Sequence, residues 1–280
     1  MTLSVYIQGG LGNQLFQIFA LISASLKHKI PFKIPYYEQT SAGLQRPTYW
    51  SNFLKSLLPF TSKEIAVSSR YNEQHFNYKP LPVAATNVMY VGYFQSEKYF
   101  VDTYDQICRF IKLSESKEQV REKWGNSHLM PGKINVSLHF RLGDYKNIQD
   151  CHPLVTDAYY IGALNHIIGE LKTTNVNIVC FYEKDDITIA KTRINEIRSH
   201  FPVELTFTHC DHSTCDWEQL VLMSLCDHNI IANSSFSWWG AYFNHNPSKI
   251  VTYPSVWFGT KMAHLNTSDL YPIKWVKIDC

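Results

Sequence analysis

The hydrophobic and polar positions along the chain predict strands that alternate with helices. In the second half, the apolar run INVSLHF (134–140) indicates a strand, and apolar residues recur at helical spacing in 157–172. The alternation continues through 176–182, 186–199, 203–208, 217–226, 228–232, 237–244 and 249–253. The predicted strands are apolar on both faces, which is typical of a parallel, doubly wound sheet covered by helices.

The first half begins with the same pattern. The predicted elements are a strand at 3–8, a glycine turn, a helix at 13–27, the short strand PFKI, a strand near 88–94 and helices within 96–124. The segment GNSHLMPGK (125–133) contains two glycines and a proline, which indicates a linker. We therefore expect two α/β lobes, 1–130 and 131–280, with a cleft between them.

Two predicted helices begin with polar residues that can cap them. Thr156 or Asp157 can accept hydrogen bonds from the first turn of the helix at 157–172. Asp216, followed three residues later by Gln219, resembles a capping box and predicts the start of the helix at 217–226.

The composition is that of an ordinary folded protein, and it limits the classes of partner. Of the 280 residues, 45% are hydrophobic and 18% are charged, so the chain is long enough for two cores. A formal net charge of +2 does not support nucleic acid binding, although it is compatible with a local basic pocket for a small anion. The N-terminus leads into a strand without a signal peptide, and there is no apolar span of about 18 residues. We expect a cytoplasmic protein without integral membrane contact.

The seven cysteines do not indicate a metal site. Cys210 and Cys215 lie near His209 and His212, but their spacing matches no zinc pattern and no second pair of ligands follows. In a cytoplasmic protein we expect these cysteines to be reduced.

The first candidate motif is GGLGNQ (9–14), between the first strand and the first helix. Glycines at this place let the backbone approach a ligand, and the N–H groups of a helix N-terminus favour an anion. The motif is not a dinucleotide fingerprint, because Leu15 stands where that pattern needs a glycine. A tight structural turn explains the same residues, so both interpretations stay open.

The second motif, HFRLGDY (139–145), places His139, Arg141 and Asp144 at the end of a predicted strand. Ligands of open parallel sheets bind at the carboxyl ends of the strands, and the planar fork of Arg141 can hold two phosphate oxygens. The alternative is a surface ion pair between Arg141 and Asp144.

The third motif, NSSFSWWGAY (233–242), lies between a predicted strand and a predicted helix. Ser234, Ser235 and Ser237 can donate to phosphate oxygens beside the helix N-terminus, whose dipole favours negative charge. The alternative is plain N-capping by one serine. Because capping needs only one hydroxyl, the anion interpretation is favoured.

Two strand ends and a glycine turn therefore indicate an anionic ligand, and a diphosphate suits all three. No two carboxylates form the Asp-x-Asp pattern expected of a metal bound to a nucleotide sugar. The protein itself would then neutralise the diphosphate with arginine, hydroxyls and helix N-termini. We expect no cofactor and no metal.

The motifs GGLGNQLFQ, HFRLGDY, MSLCDHNIIANSSFSWWGAY and the later YPSVWF together resemble the α-1,2-fucosyltransferases of glycosyltransferase family 11. The resemblance covers most of the chain, more weakly in 30–90. It implies an α/β, GT-B-like fold with two Rossmann-type lobes, the acceptor on the side of 1–130 and the donor on the side of 131–280. It also implies GDP-β-L-fucose as donor, a glycan acceptor, and metal-independent transfer with inversion to the 2-hydroxyl of a terminal sugar, often galactose.

The resemblance also implies roles for individual residues. Arg141 would hold the donor diphosphate, and Glu183, with Asp185 as the alternative, would bind guanine. Asp144 and His139 lie close to that arginine in sequence and are the candidates for the general base, with Asp144 preferred. The other expected donor-binding residues lie in the glycine turn and the serine motif: Gly10, Gly12, Asn13, Gln14, Asn233, Ser234, Ser235, Phe236 and Ser237.

One position departs from the family pattern, which usually has two consecutive arginines in the central motif. Here the second position is Leu142. We expect an active enzyme in which stabilisation of the diphosphate is weaker or the acceptor preference is changed. The alternatives are a GDP-fucose transferase of a different linkage and an inactive homologue that only binds the nucleotide sugar.

The acceptor surface is expected within 35–82. Aromatic side chains in this stretch can stack on sugar faces or belong to the core: Tyr36, Tyr37, Tyr49 and Trp50.

Overall fold

Strands and helices alternate along the structure, a computed structural model that describes residues 1–40, 45–83, 85–201 and 203–280. The strands are β1 (Leu3–Val5), β2 (Ile34–Pro35), β3 (Thr61–Ser62), β4 (Ser69–Asn72), β5 (Val88–Val91), β6 (Ile134–His139), β7 (Val176–Phe181), β8 (Thr206–His209), β9 (His228–Ile230), β10 (Val251–Pro254) and β11 (Val276–Ile278). The α-helices are α1 (Leu11–His28), α2 (Tyr104–Phe110), α3 (Leu113–Val120), α4 (Asn126–His128), α5 (Asp157–Leu171), α6 (Ile187–Ser199), α7 (Asp216–Met223) and α8 (Ser235–Tyr242). The predicted alternation is confirmed.

The larger sheet is parallel throughout and has the strand order β11-β10-β9-β6-β7-β8. Successive residues of β6 point to opposite faces of this sheet. Val136 and Leu138 belong to a hydrophobic cluster with α5 and α6. Ser137, on the other face, accepts a 2.7 Å hydrogen bond from Asn229 Nδ2, which also donates to the Met223 carbonyl at the end of α7. The sheet therefore has a helix layer on each face.

The smaller sheet is also parallel, with the order β1-β5-β4, and β2 pairs with β3 in a separate parallel ladder. Helix α1 is apolar over most of its surface and buries side chains such as Phe16 and Phe19. It ends at Lys29, which has a φ of 55° and donates its N–H to the Ser25 carbonyl. Among the described helices, none is both long enough and apolar enough to cross a membrane.

The chain divides into two compact units. The first contains Met1–Ser116 and Leu265–Pro272, and the second contains Lys117–His264 and Ile273–Cys280. The structure thus places the boundary at 116/117, whereas the sequence predicted a division at 130/131.

The segment between this boundary and β6 belongs with the second unit because its side chains are bonded to it. Lys123 pairs with the buried carboxylate of Glu218 at 2.8 Å. His128 Nε2 accepts a 2.9 Å hydrogen bond from the Asp211 N–H. The predicted linker at 125–133 includes α4, so part of it is helical.

The segment Leu265–Pro272 returns to the first unit. Asp269 accepts a 3.1 Å hydrogen bond from the Tyr78 N–H and forms an ion pair with Lys98. Leu270 is buried. A prediction from chain order does not place this segment, because its partners lie far away along the sequence.

The two predicted helix caps have different outcomes. At α5, the Thr156 hydroxyl accepts a 3.4 Å hydrogen bond from the first turn, as predicted. The capping box predicted at Asp216 and Gln219 is wrong by one residue. Helix α7 begins after Cys215, whose backbone N–H donates to the Glu218 carboxylate at 3.2 Å.

Candidate active site

The strand order of the larger sheet reverses between β6 and β9. From β6 the chain proceeds outward to β7 and β8, whereas β9 lies on the other side of β6 and leads to β10 and β11. In an open parallel sheet, ligands bind at the carboxyl ends of the strands that flank such a reversal. The motif HFRLGDY follows β6 and the serine motif follows β9, so the two motifs meet at this point.

Arg141 is the centre of an ion-pair cluster at this edge of the sheet. Its NH2 group pairs with Asp144, and its NH1 group pairs with Glu183, which follows β7. The guanidinium carbon lies 4.7 Å from the ring centroid of Tyr145. Burial opposes the charge, but Tyr145, Glu183 and Asp144 outweigh this effect and raise the pKa of Arg141. The guanidinium is therefore a permanent positive charge.

The predicted pair between Arg141 and Asp144 exists, but it is more than a surface ion pair. The side chain of Arg141 is only 16% exposed, and Glu183 joins the pair from another strand. Glu183, expected beside guanine, lies against the expected diphosphate ligand Arg141 in the structure. Asp185, the alternative for that role, is exposed.

Asp186, which was not predicted from the sequence, holds the loop that carries Arg141. Its carboxylate is 1% exposed, accepts a 2.7 Å hydrogen bond from the Gly143 N–H and pairs with Lys146 at 2.6 Å. Gly143 has a φ of 38°, and a Cβ there would lie 2.8 Å from Glu183 Oε1. The loop therefore needs glycine at this position.

His139 ends β6 beneath this loop and is buried. Its ring centroid lies 5.6 Å from that of Phe236 in α8. Burial and the nearby charge of Arg141 lower the pKa of His139 to about 3. Its Nδ1 atom has no hydrogen-bond partner among the described residues. A neutral imidazole with so low a pKa is a weak base, which disfavours His139 in that role, while the role of Asp144 stays a prediction.

The hydroxyls of the serine motif point in different directions. Ser234 caps α8, and its oxygen accepts a 3.3 Å hydrogen bond from the Phe236 N–H. Ser237 is buried; it accepts from the Ala232 N–H and donates to the Ser234 carbonyl. The Ser237 hydroxyl is therefore used within the turn, and its predicted contact with the donor stays a prediction. Ser235 is half-buried at the N-terminus of α8.

Asn233 joins three loops at the carboxyl edge of the sheet. Its Nδ2 group donates to the carbonyls of Pro153 (2.9 Å) and Trp257 (3.2 Å), and its own carbonyl accepts a 3.3 Å hydrogen bond from the Tyr145 hydroxyl. Its Oδ1 atom is buried and has no partner among the described residues. Asn233 is thus a structural brace between these loops.

The glycine turn before α1 belongs to the first unit. The positive φ of this motif falls on Gly9 (75°), where a Cβ would lie 2.4 Å from Asn13 Nδ2. Gly10 has a φ of −74°, and Gly12 lies buried inside α1, so neither needs left-handed backbone. Gly10, the N-cap residue of α1, has no side chain that could cap the helix, and the N-terminus of a helix favours an anion.

The side chains that follow this turn hold it together. Asn13 Oδ1 accepts a 2.8 Å hydrogen bond from Gln95. Gln14 is fully buried, and its Nε2 group donates to the carbonyls of Gly9 and Pro47 at 2.9 Å each. This side chain therefore braces the turn from inside, and its predicted contact with the donor stays a prediction.

Two aromatic residues beside Arg141 were not predicted. The rings of Tyr145 and His152 are stacked, with centroids 4.7 Å apart and planes inclined by 18°. Burial lowers the pKa of His152; Asp144 opposes this effect and Arg141 reinforces it. Closeness to Arg141 in the sequence is a signal for Tyr145, but His152 is brought to the site by a loop and carries no such signal.

The aromatic residues expected at the acceptor surface separate into two groups. Tyr49 and Trp50 are buried in the core of the first unit. Tyr36 is half-buried and Tyr37 is exposed, so only these two can contact a sugar.

The cysteines and histidines near 210 are bonded within the protein. Cys215 Sγ lies 3.2 Å from a Glu218 carboxylate oxygen, and His209 Nδ1 is 2.9 Å from the Tyr182 hydroxyl. Cys210 is buried. In the part of the chain that the structure describes, no three His, Cys, Asp or Glu side chains are grouped as metal ligands.

Comparisons with known proteins agree with this arrangement. The sequence model described as Glycosyl transferase family 11 matches residues 5–279. Alpha-1,2-colitosyltransferase of Escherichia coli is 28% identical over 98% of this chain and 97% of its own length. Galactoside 2-alpha-L-fucosyltransferase of Caenorhabditis elegans is 23% identical over 99% of this chain and 79% of its own length.

Among solved structures, POFUT1 in complex with GDP-fucose is similar, with a TM-score of 0.50 and 10% identity over 90% of this chain and 96% of that one. At this identity the likeness establishes the fold alone. The fold class is α/β and GT-B-like, as expected.

Proposed function

Because the chain belongs to glycosyltransferase family 11, we propose that it moves L-fucose from GDP-β-L-fucose to the 2-hydroxyl of a terminal sugar, galactose being the first candidate. The similarity to the galactoside 2-alpha-L-fucosyltransferase of Caenorhabditis elegans supports this reaction. The observation that carries the proposal is the position of Arg141, a permanent positive charge at the carboxyl end of the central strand β6. There it lies beside the motif that begins α8.

The charge of the diphosphate would be neutralised by groups of the protein. Guanidinium has five N–H donors, so the pairs with Asp144 and Glu183 leave Arg141 further donors for phosphate oxygens. The first turn of α8 adds backbone N–H groups and the Ser235 hydroxyl. Because these groups supply positive charge and hydrogen bonds, the proposal needs no metal ion.

The proposed chemistry is a single displacement. The acceptor hydroxyl oxygen forms a bond to the anomeric carbon of fucose, while the bond from that carbon to the β-phosphate oxygen breaks and its electron pair leaves with GDP. The hydroxyl proton passes to a base, for which Asp144 is the candidate. Attack opposite the leaving group converts the β-linked donor into an α-linked product. Loss of Arg141 should cost about 3 kcal/mol of transition-state stabilisation, or about a hundredfold in rate.

A second candidate donor follows from the Escherichia coli relative, whose name states colitose transfer. The same site would serve a colitose donor, since Arg141 and the first turn of α8 would contact the diphosphate and not the sugar. A different linkage and binding without transfer are the further alternatives.

The proposal places the reaction in the cytoplasm, which fractionation of the producing cells tests.

The test is release of GDP in excess EDTA, with GDP-fucose or GDP-colitose as donor and a panel of β-galactosides as acceptors. Wild type, Arg141→Ala and the matched control Arg198→Ala, an exposed arginine of the same unit, are compared. Acceptor-dependent release by wild type and Arg198→Ala, reduced about a hundredfold in Arg141→Ala, is expected. NMR of the product identifies the linkage.

The possible failures have different meanings. Release that requires added Mn²⁺ or Mg²⁺ would contradict the metal-independent mechanism. Tight GDP binding without release from either donor would favour the binding homologue. Turnover on acceptors whose 2-hydroxyl is blocked would favour another linkage.

A further inference from the structure

Tyr145 connects the two motifs that meet at the carboxyl edge of the larger sheet. Its ring centroid lies 4.7 Å from the guanidinium carbon of Arg141. Its hydroxyl donates to the Asn233 carbonyl at 3.3 Å. A single side chain therefore touches the arginine that follows β6 and the loop that follows β9.

His152 lies against Tyr145 and is itself held in place. Its ring is stacked on Tyr145 and lies 5.6 Å from the ring of Phe258. The flanking carbonyls are also fixed, since Pro153 accepts from Asn233 Nδ2 and Cys151 accepts a 2.8 Å hydrogen bond from a backbone N–H of the loop after β10. The imidazole is thus stacked on Tyr145 and flanked by residues whose carbonyls are hydrogen-bonded.

The contact between Tyr145 and Arg141 orients the guanidinium in a way that the carboxylates do not. Asp144 and Glu183 occupy N–H donors of Arg141, and the Tyr145 side chain adds a hydrogen bond to it, whereas the aromatic face attracts the cation without using a donor. A guanidinium held by its plane keeps its N–H groups directed outward. The lowered pKa of His152 also leaves its ring neutral near pH 7, so it does not repel the arginine.

We propose that Tyr145 and His152 are positioning residues that fix the plane of Arg141 for a diphosphate, with Tyr145 supplying the aromatic face and His152 supporting it. The inference rests on the proposed function for the identity of the ligand. The contact between Tyr145 and Arg141 does not depend on the proposed function and can be observed without any ligand.

The binding test measures the affinity for GDP by calorimetry. Its variants separate the aromatic face of Tyr145, the hydroxyl of Tyr145 and the stacking contact of His152. Tyr145→Leu removes the aromatic face and should weaken GDP binding about tenfold, the size of one desolvated cation–π contact. Tyr145→Phe keeps the face and should recover most of that loss. His152→Ala should weaken binding less than Tyr145→Leu, and His152→Phe should restore most of what His152→Ala loses.

A spectroscopic test reads the contact without any ligand. A proton held over an aromatic face is shifted upfield by the ring current, so the Nε–H resonance of Arg141 should lie upfield in wild type. The shift should persist in Tyr145→Phe, decrease in His152→Ala and disappear in Tyr145→Leu. Arg141→Lys identifies the resonance.

The outcomes are distinguishable. If wild type does not bind GDP, the proposed function fails while the ring-current shift still decides whether the stack exists. If wild type binds GDP and Tyr145→Leu binds it equally, or if the Arg141 resonance is not shifted in wild type, the positioning role is overturned. If His152→Phe is as impaired as His152→Ala, the imidazole acts through its nitrogens and the stacking role is wrong. If Tyr145→Leu unfolds, the test rests on the Arg141 resonance of wild type and on the comparison of His152→Ala with His152→Phe.

Discussion

The backbone N–H of Gly143 donates a 2.7 Å hydrogen bond to the carboxylate of Asp186, which is 1% exposed. This bond joins the loop after β6 to the start of α6, and the loop carries both Arg141 and Asp144. The geometry of the candidate diphosphate site thus depends on a buried acid that is bonded to this loop through Gly143 and Lys146.

Replacement of Asp186 tests this dependence. Asp186→Ala leaves the Gly143 N–H without its charged acceptor and should lower the free energy of unfolding by about 2 kcal/mol. It should also reduce GDP affinity, because the loop loses its anchor. Urea unfolding and calorimetry measure the two effects. Asp185→Ala is the matched control, an exposed neighbour whose effect on stability should stay within about 0.5 kcal/mol. Identical unfolding curves for the two variants would contradict the anchoring role.

Gly143→Ala tests the close approach of the loop to Glu183. With a φ of 38°, alanine is strained here, and its Cβ, 2.8 Å from Glu183 Oε1, would displace the carboxylate that pairs with Arg141. Gly132 is the control, because it has a φ of 80° but no atom within 4 Å of its Cβ position. Both alanine variants should lose about 1 kcal/mol of stability through backbone strain. Only Gly143→Ala should lose transfer activity, measured as GDP release; equal activities would show that the contact with Glu183 is unimportant.

Leu142, which stands where the family pattern usually has a second arginine, lies in the hydrophobic core. Its side chain is 2% exposed and belongs to the hydrophobic cluster of the second unit. Leu142→Arg should therefore lower the free energy of unfolding by about 3 kcal/mol or more, because a charge would be buried without a partner. Leu142→Met preserves the volume and should cost less than about 1.5 kcal/mol. A Leu142→Arg protein with wild-type unfolding and faster transfer would show that this position faces the donor.

The buried imidazole of His139 should make stability depend on pH. Its pKa is about 3 in the folded protein, below the unfolded value near 6.5. Between these values the unfolded chain binds a proton that the folded protein does not, so stability is complete above pH 6.5 and falls as the pH is lowered. Between pH 7 and 5, wild type should lose about 2 kcal/mol more than His139→Asn.

Urea unfolding at several pH values measures this difference. The other histidines contribute to both proteins alike, so the difference between the two pH profiles isolates His139. Parallel profiles would contradict a neutral, buried imidazole at this position.

The position of Arg141 was predictable because it depends on local pattern. A strand that is apolar on both faces must lie inside a covered sheet, and the first charged residues after it must emerge at its carboxyl edge. The same reasoning placed Ser234 at the start of α8. Both residues lie where the sequence predicted, at the ends of neighbouring strands β6 and β9.

Local sequence pattern does not predict which of several neighbouring acidic residues in one loop is buried. Glu183, Asp185 and Asp186 are equivalent in the sequence, yet only Asp186 is buried, because the Gly143 N–H and Lys146 lie opposite it. Ser237 differs from Ser235 for the same kind of reason, since the turn before α8 requires its hydroxyl.

The sequence by itself determined the alternation of strands and helices, the parallel sheets and the strand ends from which Arg141 and Ser234 emerge. These features follow from the period of apolar residues, which each segment carries within itself. Only the tertiary structure decided that Asp186 anchors the loop, that Leu142 belongs to the core and that His152 stands behind Tyr145. Each of these contacts joins residues from separate loops, and the order of strands in the folded sheet determines which loops become neighbours.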